Sequence, residues 1–215
     1  MKITLYLYYF FRSVLLRGLF NTLSLLRAEA LYERKFGIKT ATIKKSDSAE
    51  FFHYQGASYK VILRLLSEIS EETKTFDFVD IGCGKGRVLF VAEYCGYKRL
   101  TGIELDEELI NEAETNLQQY KLRKNSSEIH FAHQNALDYC YEDEPTVYFL
   151  FNPFNESVLG KVLDKIRCST TSETWIIYMN PMYPRPFEQR GISCFKEIKT
   201  RFYKEAFIYK IEGLK

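Results

Sequence analysis

The sequence predicts an α/β fold, a doubly wound and mostly parallel sheet with a C-terminal antiparallel hairpin and an N-terminal helical extension. Three observations predict it. Short apolar runs alternate with amphipathic stretches, which reads as strands joined by helical crossovers. Glycines crowd the first strand-to-helix turn, Gly82, Gly84 and Gly86. The chain ends in two strand-like runs, 192–202 and 206–211, with no helical segment between them.

Taken in order, residues 1–27 are strongly apolar but broken by Arg12 and Arg17. A membrane-spanning helix needs about 20 uninterrupted apolar residues, and central arginines oppose one. A signal peptide needs small residues at a cleavage site after its apolar run, and none follows here. Leu5, Tyr8, Arg12, Leu15, Leu19, Leu23 and Leu26 recur at helical spacing. The stretch therefore reads as a helix packed on the domain, on a second copy in a homodimer, or on a membrane surface with its arginines reaching the phosphates. Residues 28–53 turn polar and read as a linker or lid with a helical start. The division expected is thus 1–53 for the extension and 54–215 for the main domain.

Val61, Ile62, Leu65, Leu66 and Ile69 mark an amphipathic helix. Strands are expected at 76–81, 100–105, 129–133, 146–151 and 174–179. Helices are expected at 87–95, 106–120 and 157–167, the second with Asp106, Glu107 and Glu108 at its positive N-terminal end. Unbroken apolar runs such as TVYFLF and TWIIYM suit strands buried on both faces.

The composition narrows the function. With 46% hydrophobic and 27% charged residues the chain is globular, and a formal charge of +2 gives no strong nucleic-acid signal. Five scattered cysteines form no C-x-x-C pair, and His53, His130 and His133 lack metal-ligand spacing. No metal is expected, and the cysteine usage fits a reduced, cytoplasmic chain, membrane-peripheral if the extension binds lipid.

Asp80-Ile81-Gly82-Cys83-Gly84-Lys85-Gly86-Arg87 lies between a strand and a helix, where ligands of doubly wound sheets bind. Glycines there fold the chain tightly and let a ligand approach the backbone. A Walker loop requires Ser or Thr after the lysine, and Gly86 stands there instead. A dinucleotide loop counted from Gly82 requires its third glycine at position 87, which is arginine. The pattern that remains is D-x-G-x-G-x-G. Glu104 ends the next strand, where a carboxylate can accept bonds from two ribose hydroxyls.

FVDIGCGKGRVLFVA, GIELDEELINEAETN, HQNALDY and YFLFNPFNESVL, in that order, resemble the Rossmann-like core of class I S-adenosylmethionine-dependent methyltransferases. The likeness extends from about Phe36 to the end. It is narrower to a bacterial group of such enzymes that shares the FGIKT and HYQGASY segments and the second N-P at Asn180-Pro181. The resemblance implies S-adenosyl-L-methionine as cofactor and leaves the methyl acceptor unidentified. It assigns Asp80, Gly82, Cys83, Gly84 and Gly86 to the methionine part, with the Asp80 carboxylate toward the ammonium. Glu104 would take the ribose and Leu105 the adenine face. Asn135 and Ala136 would meet the adenine edge, with Asp138 a second candidate there. Tyr54 and Gln55 would close over the methionine carboxylate.

Asn152-Pro153-Phe154 ends the fourth strand and is the expected catalytic segment. It resembles the N-P-P-[FYW] motif of amino-methyltransferases but has Phe154 and Asn155 in the last two places. An Asn side chain and a nearby carbonyl can accept bonds from an amine and expose its lone pair. A plain structural reading, a strand ended by proline with Phe154 in the core, stands beside it. No general base stands out, and Tyr148, Tyr178 and Tyr183 lie near the relevant strand ends. A nitrogen of a protein or small molecule is the expected acceptor. A nucleic-acid methyltransferase and a cofactor-binding, non-catalytic module are the alternatives.

Overall fold

The computed structural model describes residues 2–41, 43–44, 54–122, 126–200 and 202–212. The chain opens with two helices, α1 (Lys2–Arg17) and α2 (Leu19–Phe36), where the apolar periodicity alone reads as one. Gly18 separates them at φ 84°, ψ 158°. That region is open essentially to glycine alone, and a Cβ there would meet nothing within 4 Å. Conformation, not crowding, thus demands the glycine. The chain folds back, and the hydroxyls of Ser13 and Thr22 pair across the break at 2.9 Å.

The polar stretch after residue 28 stays helical as far as Phe36, and α2 ends on a left-handed Gly37. Strands β1 (Ile43–Lys44) and β2 (Tyr54–Gln55) form a small antiparallel ladder not foreseen in the sequence. Helix α3 (Tyr59–Leu66) and a 3-10 turn at Glu71–Thr75 lead into the sheet. Then come β3 (Asp77–Ile81), α4 (Arg87–Cys95), β4 (Arg99–Glu104), α5 (Glu107–Gln119), β5 (Glu128–His133) and β6 (Thr146–Phe151). They continue as α6 (Glu156–Ser169), β7 (Thr174–Met179), α7 (Arg185–Gln189), β8 (Cys194–Lys199) and β9 (Lys204–Ile211). Asp106 caps α5 through bonds from the Glu108 and Leu109 amides, and Asn155 caps α6 through the Val158 amide. The short α7 was not anticipated; five residues opening on Pro184-Arg185-Pro186 carry no helical periodicity to read.

The sheet runs β5-β4-β3-β6-β7-β9-β8, with β9 antiparallel to both neighbours. It is the mostly parallel sheet with a terminal hairpin that the alternation predicts. Strands β3, β4, β6, β7 and β9 each supply both faces of the core. Phe78, Val147, Phe149, Trp175 and Ile177 pack against α3 and α4. Val79, Ile81, Tyr148, Leu150 and Ile176 pack against α6. This two-sided burial explains why the strands read as unbroken apolar runs. Helix α2 joins the first cluster through Leu25, Tyr32 and Phe36. The strand order reverses between β3 and β6, which puts the glycine loop and Asn152-Pro153 side by side at the carboxyl ends of the strands.

Candidate active site

Close contacts tie the ends of five adjacent strands together. The Gly82 and Cys83 amides both donate to the Ile103 carbonyl, at 2.8 and 3.0 Å, which pins the glycine loop to β4. Gly82, at φ 80°, has Pro153 2.8 Å from where its Cβ would stand, so this glycine lets the β3 and β6 loops touch. Gly84 and Gly86 also have positive φ, at 53° and 81°. A side chain on Gly86 would collide with Phe131 of β5 at 2.7 Å. The Cys83 side chain turns inward beneath Gly102 and Leu89, with burial pushing its thiol pKa well up. Its contribution to a ligand is therefore its backbone.

Asp80 is buried, and its Oδ2 has no hydrogen-bond partner among the described residues. Burial and the nearby Glu104 hold its carboxyl well above the usual aspartate range. Glu104 closes the neighbouring strand. Its Oε2 accepts the Gly84 amide at 2.9 Å, and its Oε1 accepts those of Leu105 and Asp106 at 2.8 and 3.0 Å. Burial nevertheless raises its pKa, against those three bonds. Leu105 is exposed beside it. At the end of β5 the Gln134 amide bonds the Glu104 carbonyl at 2.9 Å. Asn135 uses its side-chain oxygen to cap the following turn through the Leu137 amide, at 2.9 Å. Ala136 is buried, and its carbonyl accepts the Tyr141 hydroxyl at 2.9 Å. Asp138 is exposed, its amide bonded to the Asn135 carbonyl. The side chains of Tyr54 and Gln55 lie outside the described residues; their backbones pair with Lys44 and Ile43.

Asn152 is buried with φ 45°, a left-handed conformation uncommon outside glycine. Its Oδ1 accepts the Tyr178 hydroxyl at 2.8 Å, and the Tyr183 amide in turn donates to that hydroxyl at 3.3 Å. Burial pushes the Tyr178 pKa up to about 12, so its proton stays in place at neutral pH and it acts as a donor, not a base. Asn180, at the end of β7, repeats the arrangement at φ 52°, with its Oδ1 accepting the Tyr203 hydroxyl. Phe154 belongs to the second core cluster.

Arg87 did not stand out in the sequence, where it only opens the helix expected at 87–95. It is buried and gathers much of the N-terminal region onto the glycine loop. It donates to Glu29 at 2.5 Å, Ala57 carbonyl at 2.7 Å, Thr40 hydroxyl at 2.6 Å and Glu33 at 3.4 Å. Its guanidinium also lies 4.3 Å from the Tyr59 ring centre. Partners 30 to 58 residues away leave no local sequence signal.

A buried carboxylate with one oxygen unpartnered among the described residues, beside a glycine cradle, suits a ligand that carries a positive charge, and S-adenosylmethionine carries both an ammonium and a sulfonium. The residues present fit that cofactor. Residues 78–169 match the family model described as methyltransferase domain. Among solved structures, an RNA methyltransferase from Salinibacter ruber bound to S-adenosyl-L-homocysteine is similar at 17% identity. That match covers 74% of this chain and 95% of the other, with TM-score 0.57. Magnesium protoporphyrin IX methyltransferase from Synechocystis, solved with bound cofactor, is similar at 14% identity, covering 70% and 75%, with TM-score 0.53. A ribosomal protein L11 methylase from Lactobacillus delbrueckii subsp. bulgaricus shares 12% identity over 71% and 78%, with TM-score 0.52. No relative is detected among curated proteins. Residues 78–169 thus match a methyltransferase domain, and the fold is the one these methyltransferases share, which supports S-adenosylmethionine as the cofactor.

Proposed function

We propose that the enzyme methylates a nitrogen of a protein or small-molecule acceptor, with Asn152 orienting the nucleophile. One observation carries this reading. A non-glycine residue is held in left-handed backbone at the strand end beside the glycine loop, with its carboxamide oxygen fixed by a tyrosine proton. Strain of this kind costs about 1–3 kcal/mol and persists where surrounding structure enforces it, commonly at functional sites.

Asp80 would hold the cofactor's ammonium, with the backbone of Gly82, Cys83, Gly84 and Gly86 lying along its methionine part. Leu105 would cover the adenine face, and Asn135 with Ala136 its edge. Tyr54 and Gln55 would close over the methionine carboxylate. Glu104 would take the ribose, and its bonding sets a condition on that role. A carboxylate offers about four acceptor positions, and three are filled by backbone amides. Binding both ribose hydroxyls therefore requires one of those three amides to leave Glu104.

When bound, the cofactor supplies an electrophilic methyl, so the protein's tasks are orientation and control of a proton. The Asn152 carboxamide, with one oxygen lone pair fixed by Tyr178, can accept from an acceptor N–H and turn the nitrogen lone pair toward the site. Tyr178 is too weak an acid to serve as base. The proton leaves to solvent or to a group of the acceptor.

The test is Asn152→Ala assayed by tritiated-methyl transfer to fractionated cell extract, beside cofactor affinity and melting temperature. An interaction made mainly in the transition state appears in turnover and not in cofactor affinity. Turnover is expected to fall with S-adenosylhomocysteine affinity nearly unchanged. Preserved turnover per folded molecule would remove Asn152 from the reaction. Labelling confined to RNA or DNA fractions would overturn the choice of acceptor.

A further inference from the structure

The first 45 residues carry nine lysines and arginines against two acids, Glu29 and Glu33, whereas the remaining residues carry 21 against 26. The near-neutral total thus conceals a strongly basic N-terminal region. Both of its acids turn inward to Arg87. Among the exposed residues of α1 and α2, the ionic groups left facing outward are therefore cations, with Arg12 and Arg27 both exposed.

The exposed surface of the same two helices is also unusually apolar. Nine of the 14 large hydrophobic side chains exposed among the described residues lie on α1 and α2. Leu7, Phe11 and Leu15 follow one another at intervals of four along α1; Leu19 and Leu23 continue on α2, with Phe20 beside them. Phe20 is 89% exposed and Leu15 79%. The opposite face of α2, through Thr22, Leu25, Tyr32 and Phe36, is the one that packs on the core. Helix α2 is apolar on two sides, and one of them already has its partner.

Three connections hold the α1–α2 hairpin in position. Ser13 and Thr22 pair across its turn. Arg17 forms a two-pronged bond to Glu205, at 2.7 and 3.0 Å, and lies 4.4 Å from the Tyr203 ring centre. Arg87 fastens Glu29 and Glu33. Tyr203 bonds Asn180 at the end of β7, and Arg87 opens the helix after the glycine loop. Both attachments lie at the end of the sheet that carries the candidate site.

We propose that the exposed face of the α1–α2 hairpin seats the enzyme on an anionic lipid surface. Apolar side chains flanked by unopposed cations match the layered chemistry of such a surface, with acyl chains below and phosphates above. A second copy fits less well. A two-fold interface places the same patch on itself, so these cations would meet one another with no outward acid on the hairpin to receive them. Nucleic acid would engage the cations but leave the leucines and phenylalanines unused. Among the described residues no helix is long and apolar enough to cross a membrane, so the contact is one of lying on the surface. The inference stands apart from the identity of the methyl acceptor.

The full-length protein should be floated with vesicles of phosphatidylcholine alone and of phosphatidylcholine with phosphatidylglycerol. Recovery with the anionic vesicles is expected to exceed recovery with neutral ones by roughly tenfold and to fall as salt is raised. Two double variants test the two components, Leu15→Glu with Phe20→Glu and Arg12→Glu with Arg27→Glu. Each replaces exposed side chains and is expected to abolish flotation while keeping the melting shift caused by S-adenosylhomocysteine. Absence of flotation, or equal flotation with both vesicles, overturns the proposal. So does a stable dimer that the Leu15/Phe20 variant dissociates without any vesicle binding, or binding to RNA in preference to vesicles.

Discussion

Replacing Asp80 by asparagine should weaken the cofactor and strengthen the empty enzyme. Asp80 is buried with Oδ2 unpartnered, and desolvation and Glu104 both oppose its charge. If the carboxylate faces the cofactor's ammonium, the variant loses one charge-assisted bond, about 1.5–3 kcal/mol. At tenfold per 1.4 kcal/mol this is roughly 10- to 150-fold in Kd. The neutral amide also removes a buried charge, and gains from relieving such a site run to about 0.5–2 kcal/mol. For a chain of this length that raises the melting temperature by about 1–8 °C. The sign of the pH effect follows from the raised pKa. The folded state holds the Asp80 proton more tightly than the unfolded chain, so wild-type stability is unpenalised below the ordinary aspartate pKa near 4. It declines as pH rises through the higher folded value. The variant's advantage should therefore grow over that rise and vanish in acid. Cofactor affinity runs the other way: in the wild type it falls as Asp80 takes up its proton, and in Asp80→Asn this dependence is lost. Titration calorimetry with S-adenosylhomocysteine and thermal melts across a pH series measure both. Wild-type affinity in the variant, with no change in melting temperature, would refute the reasoning.

Two further changes probe the frame of the site. Glu104→Ala should weaken S-adenosylhomocysteine by about 1.5–3 kcal/mol through loss of bonds to a charged acceptor; unchanged binding by calorimetry would move the ribose role elsewhere. Arg87→Ala should cost about 3–5 kcal/mol, since it leaves the partly buried Glu29 and Glu33 without their cation. Melting should drop by roughly 6–20 °C, with partial recovery on adding Glu29→Gln, whereas a drop of only a few degrees would show the four-way contact to be dispensable.

Much of this was legible before any tertiary contact was known. Strands β6 and β7 are as expected to the residue, because two-sided burial writes an unbroken apolar run into the sequence. The break at Gly18 was missed because helical periodicity continues across it, and a backbone angle of φ 84° is not a hydrophobic pattern. Helix α7 is too short to show a period. Strands β1 and β2 are two residues each and pair across ten or twelve positions.

The site divides in the same way. The glycine loop, the acid before it and Glu104 were legible in the sequence because they stand at short, local intervals around the first two strands of the main sheet. The sequence therefore carried the fold class, and the resemblance of its motifs implied the cofactor. Tertiary structure decided what the side chains do. Asn152 meets a proton from Tyr178, 26 residues later. Glu104, expected to take the ribose, spends part of its carboxylate on the Gly84 amide of the glycine loop. The acids of α2 turn inward to Arg87, which leaves the outer hairpin face to its cations. Each of these is a pairing between residues far apart in the chain, and pairing at a distance is set by how the layers pack rather than by any local run of residues.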